Sequence, residues 1–511
     1  MAVNHKLILK NSALMYIRMM VTILISLFTV RIVLKALGVQ DFGLYNVVSG
    51  IVVMLSFLSN TLATTTQRFL SYELGLSERR DNHTISIFGT SMILYLMLCA
   101  LILVLAETLG LWYVNTYMTI PKDRLVAANW IYQFSIISFI FTILSAPYNA
   151  CIISHEKMDI YAYLSIVDAI LKLLLVYLLM ILGGDKLILY GLFLLCVTIV
   201  EYIFYRIYCR KNFVECHYTI IFNKSYMKTF GKFGVWNIWG AVSNVFMGQG
   251  VNLLLNAFFN VVINAARGLA YQVDRAINTI VQNFYTAVRP QIVKNYAIGE
   301  YSEMYKLVFQ STRLGYYMML VLSVFFIFNM ESILTLWLGN YPIETILFGQ
   351  LVIISNLIII FAQPFSMVIM ASGQIAHYQF VSGLINIFVL PISWIIIRVI
   401  HDYNIPFYVM IVSALLNTIW TIINARKIQH FSSRYFLTMC TKLLIVTFII
   451  CGITVYSNTL VPNNIWGLMI RLMILLIISA ATVWLIDLNA TEKNIASKLI
   501  YGKFKRRFHN K

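Results

Sequence analysis

Polar and charged residues cut this chain into a long series of apolar segments: 12–36, 44–66, 85–113, 125–150, 159–182, 187–208, 230–258, 260–288, 314–338, 344–371, 378–400, 406–424, 435–457 and 465–487. At about 1.5 Å per residue each segment is long enough, as a helix, to cross the roughly 30 Å hydrocarbon core of a bilayer. Hydrocarbon admits only backbones whose polar groups bond within the segment or within a closed barrel, so runs of this length predict helices. The expected fold class is therefore an all-α polytopic membrane protein with about 14 transmembrane helices. With 60% hydrophobic and 11% charged residues over 511 positions, no soluble core would need so much apolar sequence. The connections are too short to fold separately, so any functional site has to be built by the helices.

The basic residues decide orientation. They gather in every second connection, in RFLSYELGLSERR, YCRKNFVECHYTIIFNKSYMK, RPQIVKNYAIGEYSEMYK and NARKIQHFSSR, and again in the tail KFKRRFHNK. By the positive-inside rule this predicts an N-in, C-in topology. The net charge of +18 has no basic soluble domain to carry it, which argues against nucleic acid as a partner. The seven cysteines are scattered without Cys-x-x-Cys spacing, so spacing indicates neither a disulfide framework nor a metal site, and packing roles are expected. No cofactor motif is present. The N-terminus MAVNHKLILKNSALMYIRMM lacks a small-residue cleavage site and reads as a retained first helix.

The chain also repeats itself. ILSAPYNACIISHEKMDIYAYLSI closes the fourth span and IIFAQPFSMVIMASGQIAHYQFVSG the tenth; setting Pro147 on Pro364 brings Tyr161 onto Tyr378, an offset of about 217 residues. TLATTTQRFLSYELGLSE and NFYTAVRPQIVKNYAIGEYSE match at an offset of about 221 when Arg68 is set on Arg289. Paired elements lie six spans apart, so the two six-helix repeats run parallel. This divides the chain into an N-terminal half, 1–225, a C-terminal half, 226–430, two additional spans in 431–488, and a basic tail, 489–511. Pro147 and Pro364 each remove a helical hydrogen bond and mark either hinges or static kinks.

The eighth span, which includes AARGLAYQVDRAINTIVQNF, is apolar on one side only. Projected at about 100° per residue, Asn260, Asn264, Arg267, Tyr271, Asp274, Arg275, Asn278 and Gln282 fall within an arc of roughly 100°, opposite Leu269, Val273, Ala276 and Ile280. A charge at mid-depth costs at least a few kcal/mol, so this stripe should face water or partner groups. The seventh span offers Asn237, Asn244, Gly248 and Asn252, the second Asn46, Ser49, Ser56, Asn60 and Gln67, and the first Asn11, Arg18, Thr22 and Thr29. Arg18, Arg267 and Arg275 against Asp274 leave a positive set suited to an anion, and a guanidinium fork matches phosphate bidentately. Asp274 carries two readings, ion coupling or steadying of neighbouring arginines. Asp168 and Lys172, four apart, read as a neutralised pair with ion coupling as the alternative. Glu107, Glu331 and Arg471 are expected to snorkel outward. Arg68 and Arg289, at inner helix ends, could orient the protein or meet an anionic headgroup.

The stretch from Val30 to Gly75, with LGVQDFGLYNVV and QRFLSYELG as its most specific pieces, resembles the opening of Wzx-type polysaccharide-biosynthesis flippases. These belong to the multidrug/oligosaccharidyl-lipid/polysaccharide exporter superfamily, abbreviated MOP. The resemblance implies a V-shaped bundle like that of MATE exporters and residence in a bacterial cytoplasmic membrane. It implies movement of an undecaprenyl-diphosphate-linked oligosaccharide to the outer leaflet by alternating access, without enzymatic activity. The implied partners are that lipid-linked oligosaccharide, membrane lipids, a polysaccharide polymerase and glycosyltransferases. In the related lipid II flippases, arginines of spans one, two and eight receive the diphosphate. Arg18 and Arg267 match two of these positions, whereas the second span here has no arginine before Arg68. An ion-coupled multidrug exporter and a lipid II flippase are the alternatives within the superfamily. A membrane glycosyl- or phosphotransferase would need a catalytic or metal-binding group in an outer loop, and none is legible.

Overall fold

In the computed structural model the described residues are 5–53, 56–76, 81–116, 120, 122–217, 224–259, 261–338, 341–429, 431–461, 464–488 and 492–493. All regular structure among them is helical: α1 (His5–Val53), α2 (Ser56–Gly75), α3 (Asp81–Leu105), α4 (Leu111–Thr116), α5 (Leu125–Ser154), α6 (Met158–Ile181), α7 (Lys186–Asn212), α8 (Lys224–Phe258), α9 (Val261–Ala297), α10 (Tyr301–Leu338), α11 (Glu344–Ser372), α12 (Ala376–Ile400), α13 (Ile405–Ile428), α14 (Ser433–Leu460) and α15 (Ile465–Ile486). Eleven helices among the described residues are long and apolar enough to cross a membrane. The polar α9 and the α1–α2 region, where 14 spans were counted from sequence, are not among the eleven.

Local chemistry explains the breaks. α1 runs through two of the expected spans and turns at Gly38, whose φ of +78° a side chain would resist. A π-helical turn, Ala106–Gly110, joins α3 to α4, and Tyr132 donates its hydroxyl proton to the Ala106 carbonyl at 2.8 Å. α10 bends at Asn329, where φ is −121° and ψ 17°. Asn329 donates its amide to the Phe325 carbonyl at 2.9 Å, so the bend leaves that acceptor satisfied.

The repeat is visible in the backbone. Pro147 lies inside α5 and Pro364 inside α11. About 217 residues apart, Glu156 and Gly373 both take left-handed φ, +60° and +75°, just beyond those helices.

Contacts divide the chain into two compact units: residues 1–245, 283–307 and 367–384 form unit 1, and 246–282, 308–366 and 385–511 form unit 2. In unit 1, Val48, Tyr95, Ile102, Ile131, Tyr132 and Ile143 belong to one apolar cluster. Arg124 joins Asp41 and Asp185, both at 2.9 Å, and all three lie in connections after odd-numbered spans. Glu156 accepts from Lys294 at 2.6 Å and Gln291 at 3.0 Å, and its carbonyl accepts from Asn11 at 3.2 Å. Gly75 lets α2 end against Lys294, since a Cβ there would stand 2.7 Å from the Lys294 Cα. Unit 2 packs Val251, Leu255, Ala266, Ala270, Phe348 and Phe407 together, with the last two rings stacked at 4.2 Å. Also in unit 2, Arg313 pairs with Asp487 at 3.2 Å and Glu492 at 2.7 Å, tying the end of α15 to α10.

Candidate functional site

The stripe predicted for the eighth span lies on α9 apart from Asn260, which falls outside the described residues, and its part from α9's start to Gln282 belongs to unit 2. Arg267 lays its guanidinium over the Tyr271 ring, 4.5 Å from the centroid, and donates to the Gly248 carbonyl of α8 at 2.8 Å. Its Nε is buried with no protein partner. Asp274, only 5% exposed, is hydrogen-bonded by Asn356 of α11, and its Oδ1 has no partner. Arg275 lies close enough to act on Asp274 by charge, yet no ion pair joins them among the described residues, and Arg275 itself is exposed. Gln282 and Gln363 exchange side-chain hydrogen bonds at 3.0 and 2.7 Å, and Gln282 also donates to Asn278 at 3.2 Å. The predicted dry face is not uniformly outward, for Val273 is buried beside Asp274. Tyr271 donates to the Met410 sulfur at 3.6 Å, and Asn252 is half-buried on α8.

Unit 1 holds Arg18, whose guanidinium sits 4.7 Å from the Tyr161 ring centroid and donates to Asn283 at 3.1 Å and Ser165 at 3.4 Å. Its Nε, too, is buried without a partner. Asn237 donates to Thr65 at 3.3 Å and accepts from Gln379 at 3.3 Å, which makes a polar cluster from α2, α8 and α12. Asn244 is exposed and donates to the Gly240 carbonyl at 2.8 Å. Asp168 and Lys172 form the expected pair at 2.7 Å. The side chains of Asn46, Asn60 and Asn264 fall outside the described residues.

Some roles differ from expectation. Arg471 does not snorkel: it is 4% exposed and donates to Asn329 at 2.7 Å and to the Asn458 and Val461 carbonyls. The freed polar groups at the α10 bend and the end of α14 draw it inward. Arg68 donates to the Met370 and Ala371 carbonyls at 3.1 and 2.6 Å, capping the end of α11 where helix carbonyls lack partners. Sequence reading passed over Glu201 of α7, which is near enough to Asp168 and Lys172 to feel both charges. A lone acid inside an apolar run was its only signal. The amide partners Asn283, Asn356, Gln363 and Gln379 were missed because periodicity along one helix does not name the helix packed against it.

No family model and no curated relative matches the chain, but solved structures do. A multidrug resistance MATE family transporter of the MOP superfamily, in an outward-facing conformation, superposes with a TM-score of 0.69 at 12% identity, covering 83% of this chain and 96% of that one. The chain has the MATE transporter fold. A MATE structure in the straight conformation matches at TM-score 0.68 and 12% identity, with 83% and 95% of the two chains covered. A MOP superfamily transporter from Pyrococcus furiosus, described as having a binding pocket of reverse polarity that suggests a different function, matches at TM-score 0.64 and 13% identity over 83% and 95%. The eleven described helices long and apolar enough to cross a membrane make it a multi-pass membrane protein.

Proposed function

We propose that this protein is a flippase that moves an undecaprenyl-diphosphate-linked oligosaccharide, a repeat unit of O-antigen, capsule or exopolysaccharide, across a bacterial cytoplasmic membrane. The observation that carries this reading is the state of the intramembrane arginines. Among the described residues Arg18, Arg267 and Arg275 make no ion pair, and the first two each lie on a tyrosine face. A cation at that depth is costly unless it faces water or meets an anion, and the planar fork suits a diphosphate. Arg18, Arg267 and Arg275 are the groups assigned to the diphosphate from sequence. Asn237, Asn244, Asn252, Tyr271 and Asn278 offer amide and hydroxyl groups to sugar, and Asn46, Asn60 and Asn264 are assigned with them from sequence. Pro147 and Pro364 are the proposed hinges of an alternating-access cycle. Asp274 and Asp168 are the carboxylates available for ion coupling. The chemistry is transport without bond making, and a polymerase and glycosyltransferases are the partners that would use and supply the cargo.

Depletion of the protein in its host tests this. Lipid-linked oligosaccharide should accumulate on the inner leaflet while surface polysaccharide falls; unchanged polysaccharide would refute the assignment. A second reading, export of amphipathic cations, draws on the buried Asp274 with its unpartnered oxygen. It predicts drug sensitivity on deletion and loss of resistance in Asp274→Asn, with polysaccharide unaffected.

A further inference from the structure

Three of the seven cysteines meet in unit 1, Cys151 coming from a part of the sequence distant from Cys209 and Cys216. Cys151 stands in the last turn of α5, Cys209 in the last turns of α7, and Cys216 in the 3₁₀ turn Val214–Cys216 that follows. All three are buried, as is Glu215. The Cys151 and Cys216 sulfurs are 3.8 Å apart, and Cys209 is within hydrogen-bonding reach of Cys216. Glu215 Oε1 lies 3.3 Å from Cys151 Sγ and 2.5 Å from His155 Nε2. Cys151 Sγ, His155 Nε2 and the Glu215 oxygen all fall within 4.8 Å of one another.

We propose that Cys151, Cys216, His155 and Glu215 bind one zinc-type divalent cation, with Cys209 as a further thiol beside them. The donor set of soft sulfur, imidazole and carboxylate is that of a tetrahedral zinc site. With Zn–S near 2.3 Å and Zn–O or Zn–N near 2.1 Å, tetrahedral edges are about 3.8 Å for S–S, about 3.6 Å for S–O and about 3.4 Å for N–O. The sulfur pair already has that spacing and the sulfur–oxygen edge is within a few tenths of it. The His155–Glu215 contact, a hydrogen bond without the ion, has to open, and Cys216, which touches Cys151 but stands outside the 4.8 Å group of the other three donors, has to close on them. His155 is oriented for this by stacking on Phe213, ring centroids 4.2 Å apart and planes 16° apart. Binding forms two Zn–S bonds and releases the two thiol protons to solvent. A cavity of about 150 Å³, lined by Phe88, Tyr148, Tyr202, Glu215, Cys216 and His217, gives an ion a path to two of the ligands. The site joins the end of α5 to the turn after α7, which makes it a staple at that end of unit 1 and independent of any cargo.

The test uses the full chain, purified in detergent under reducing conditions through a tag without histidines. Zinc alone should bind at one per chain with a dissociation constant below about 1 µM, and Co²⁺ in its place should give sulfur-to-metal charge-transfer absorption. Cys151→Ser and Cys216→Ser should each weaken binding by about 10–100-fold, while Cys196→Ser leaves it unchanged. If either variant fails to fold, the wild-type protein still decides, by its zinc stoichiometry and by the sulfur-to-metal band of its Co²⁺ form. Wild-type protein that takes up no zinc below millimolar concentration overturns the proposal. So does zinc binding that survives loss of both cysteines.

Discussion

Arg267 is held from two sides, by the Tyr271 ring and by the Gly248 carbonyl, and neither partner carries a charge. Replacing it with glutamine removes the cation but keeps a polar side chain, so the fold should persist while anion recognition is lost. Arg267→Gln is expected to cut surface polysaccharide at least tenfold, equivalent to about 1.4 kcal/mol or more of lost binding, measured in a complemented deletion strain. Arg267→Lys should restore it only in part, because an ammonium cannot stack on the ring and present a two-point fork together. Arg471 makes the contrasting prediction. It fastens the Asn329 bend, so Arg471→Leu should lower unfolding stability by about 2–4 kcal/mol and leave cargo preference alone, read by thermal unfolding in detergent. The stripe containing Arg267 was legible because helical periodicity places its members on one face. The inward turn of Arg471 was not, since its partners lie 10 or more residues away, on α10 and around the end of α14.

At the level of helices, the motif QRFLSYELG proves to be built for joints. Its arginine caps α11, and its last glycine admits the Lys294 backbone. Arg68→Gln should therefore lower stability without selective loss of cargo binding, which separates it from Arg267. Pro364 falls in a helix that continues through it. An alanine there regains a backbone donor, and the interior penalty of proline, about 3 kcal/mol in an exposed helix, is the upper bound on what it can add. If Pro364 is a hinge, Pro364→Ala should raise the unfolding temperature and lower transport together; if it marks a static kink, transport should stay at the wild-type rate. Sequence placed both prolines by the repeat, and the matched left-handed residues Glu156 and Gly373 extend that match to the backbone. The turn at Gly38 falls in the expected connection between the first two spans, but the bend at Asn329 and the π-turn were not foreseen, because hydropathy measures how apolar a run is and not whether its hydrogen-bond ladder is regular.

Across the whole molecule, helical class and long apolar runs were legible because the bilayer imposes them on any chain that crosses it, and the repeat was legible because two stretches recur at nearly one offset. Which helices pack together was not, and the three cysteines meet through that packing although their spacing gives no motif. The last two helices are joined to unit 2 by the buried Arg313–Asp487 pair, 6% and 1% exposed. Asp487→Asn should accordingly cost about 3–5 kcal/mol, seen as early thermal unfolding, by leaving Arg313 short of a counter-charge. The central claim is that intramembrane arginines select an anionic lipid diphosphate. Its most direct test is equilibrium binding of undecaprenyl-diphosphate-linked oligosaccharide to the purified protein in nanodiscs, wild type against Arg267→Gln. The account predicts saturable binding by the wild type, weakened at least tenfold in the variant and not displaced by organic cations; equal binding by both proteins, or displacement by such cations, would contradict it.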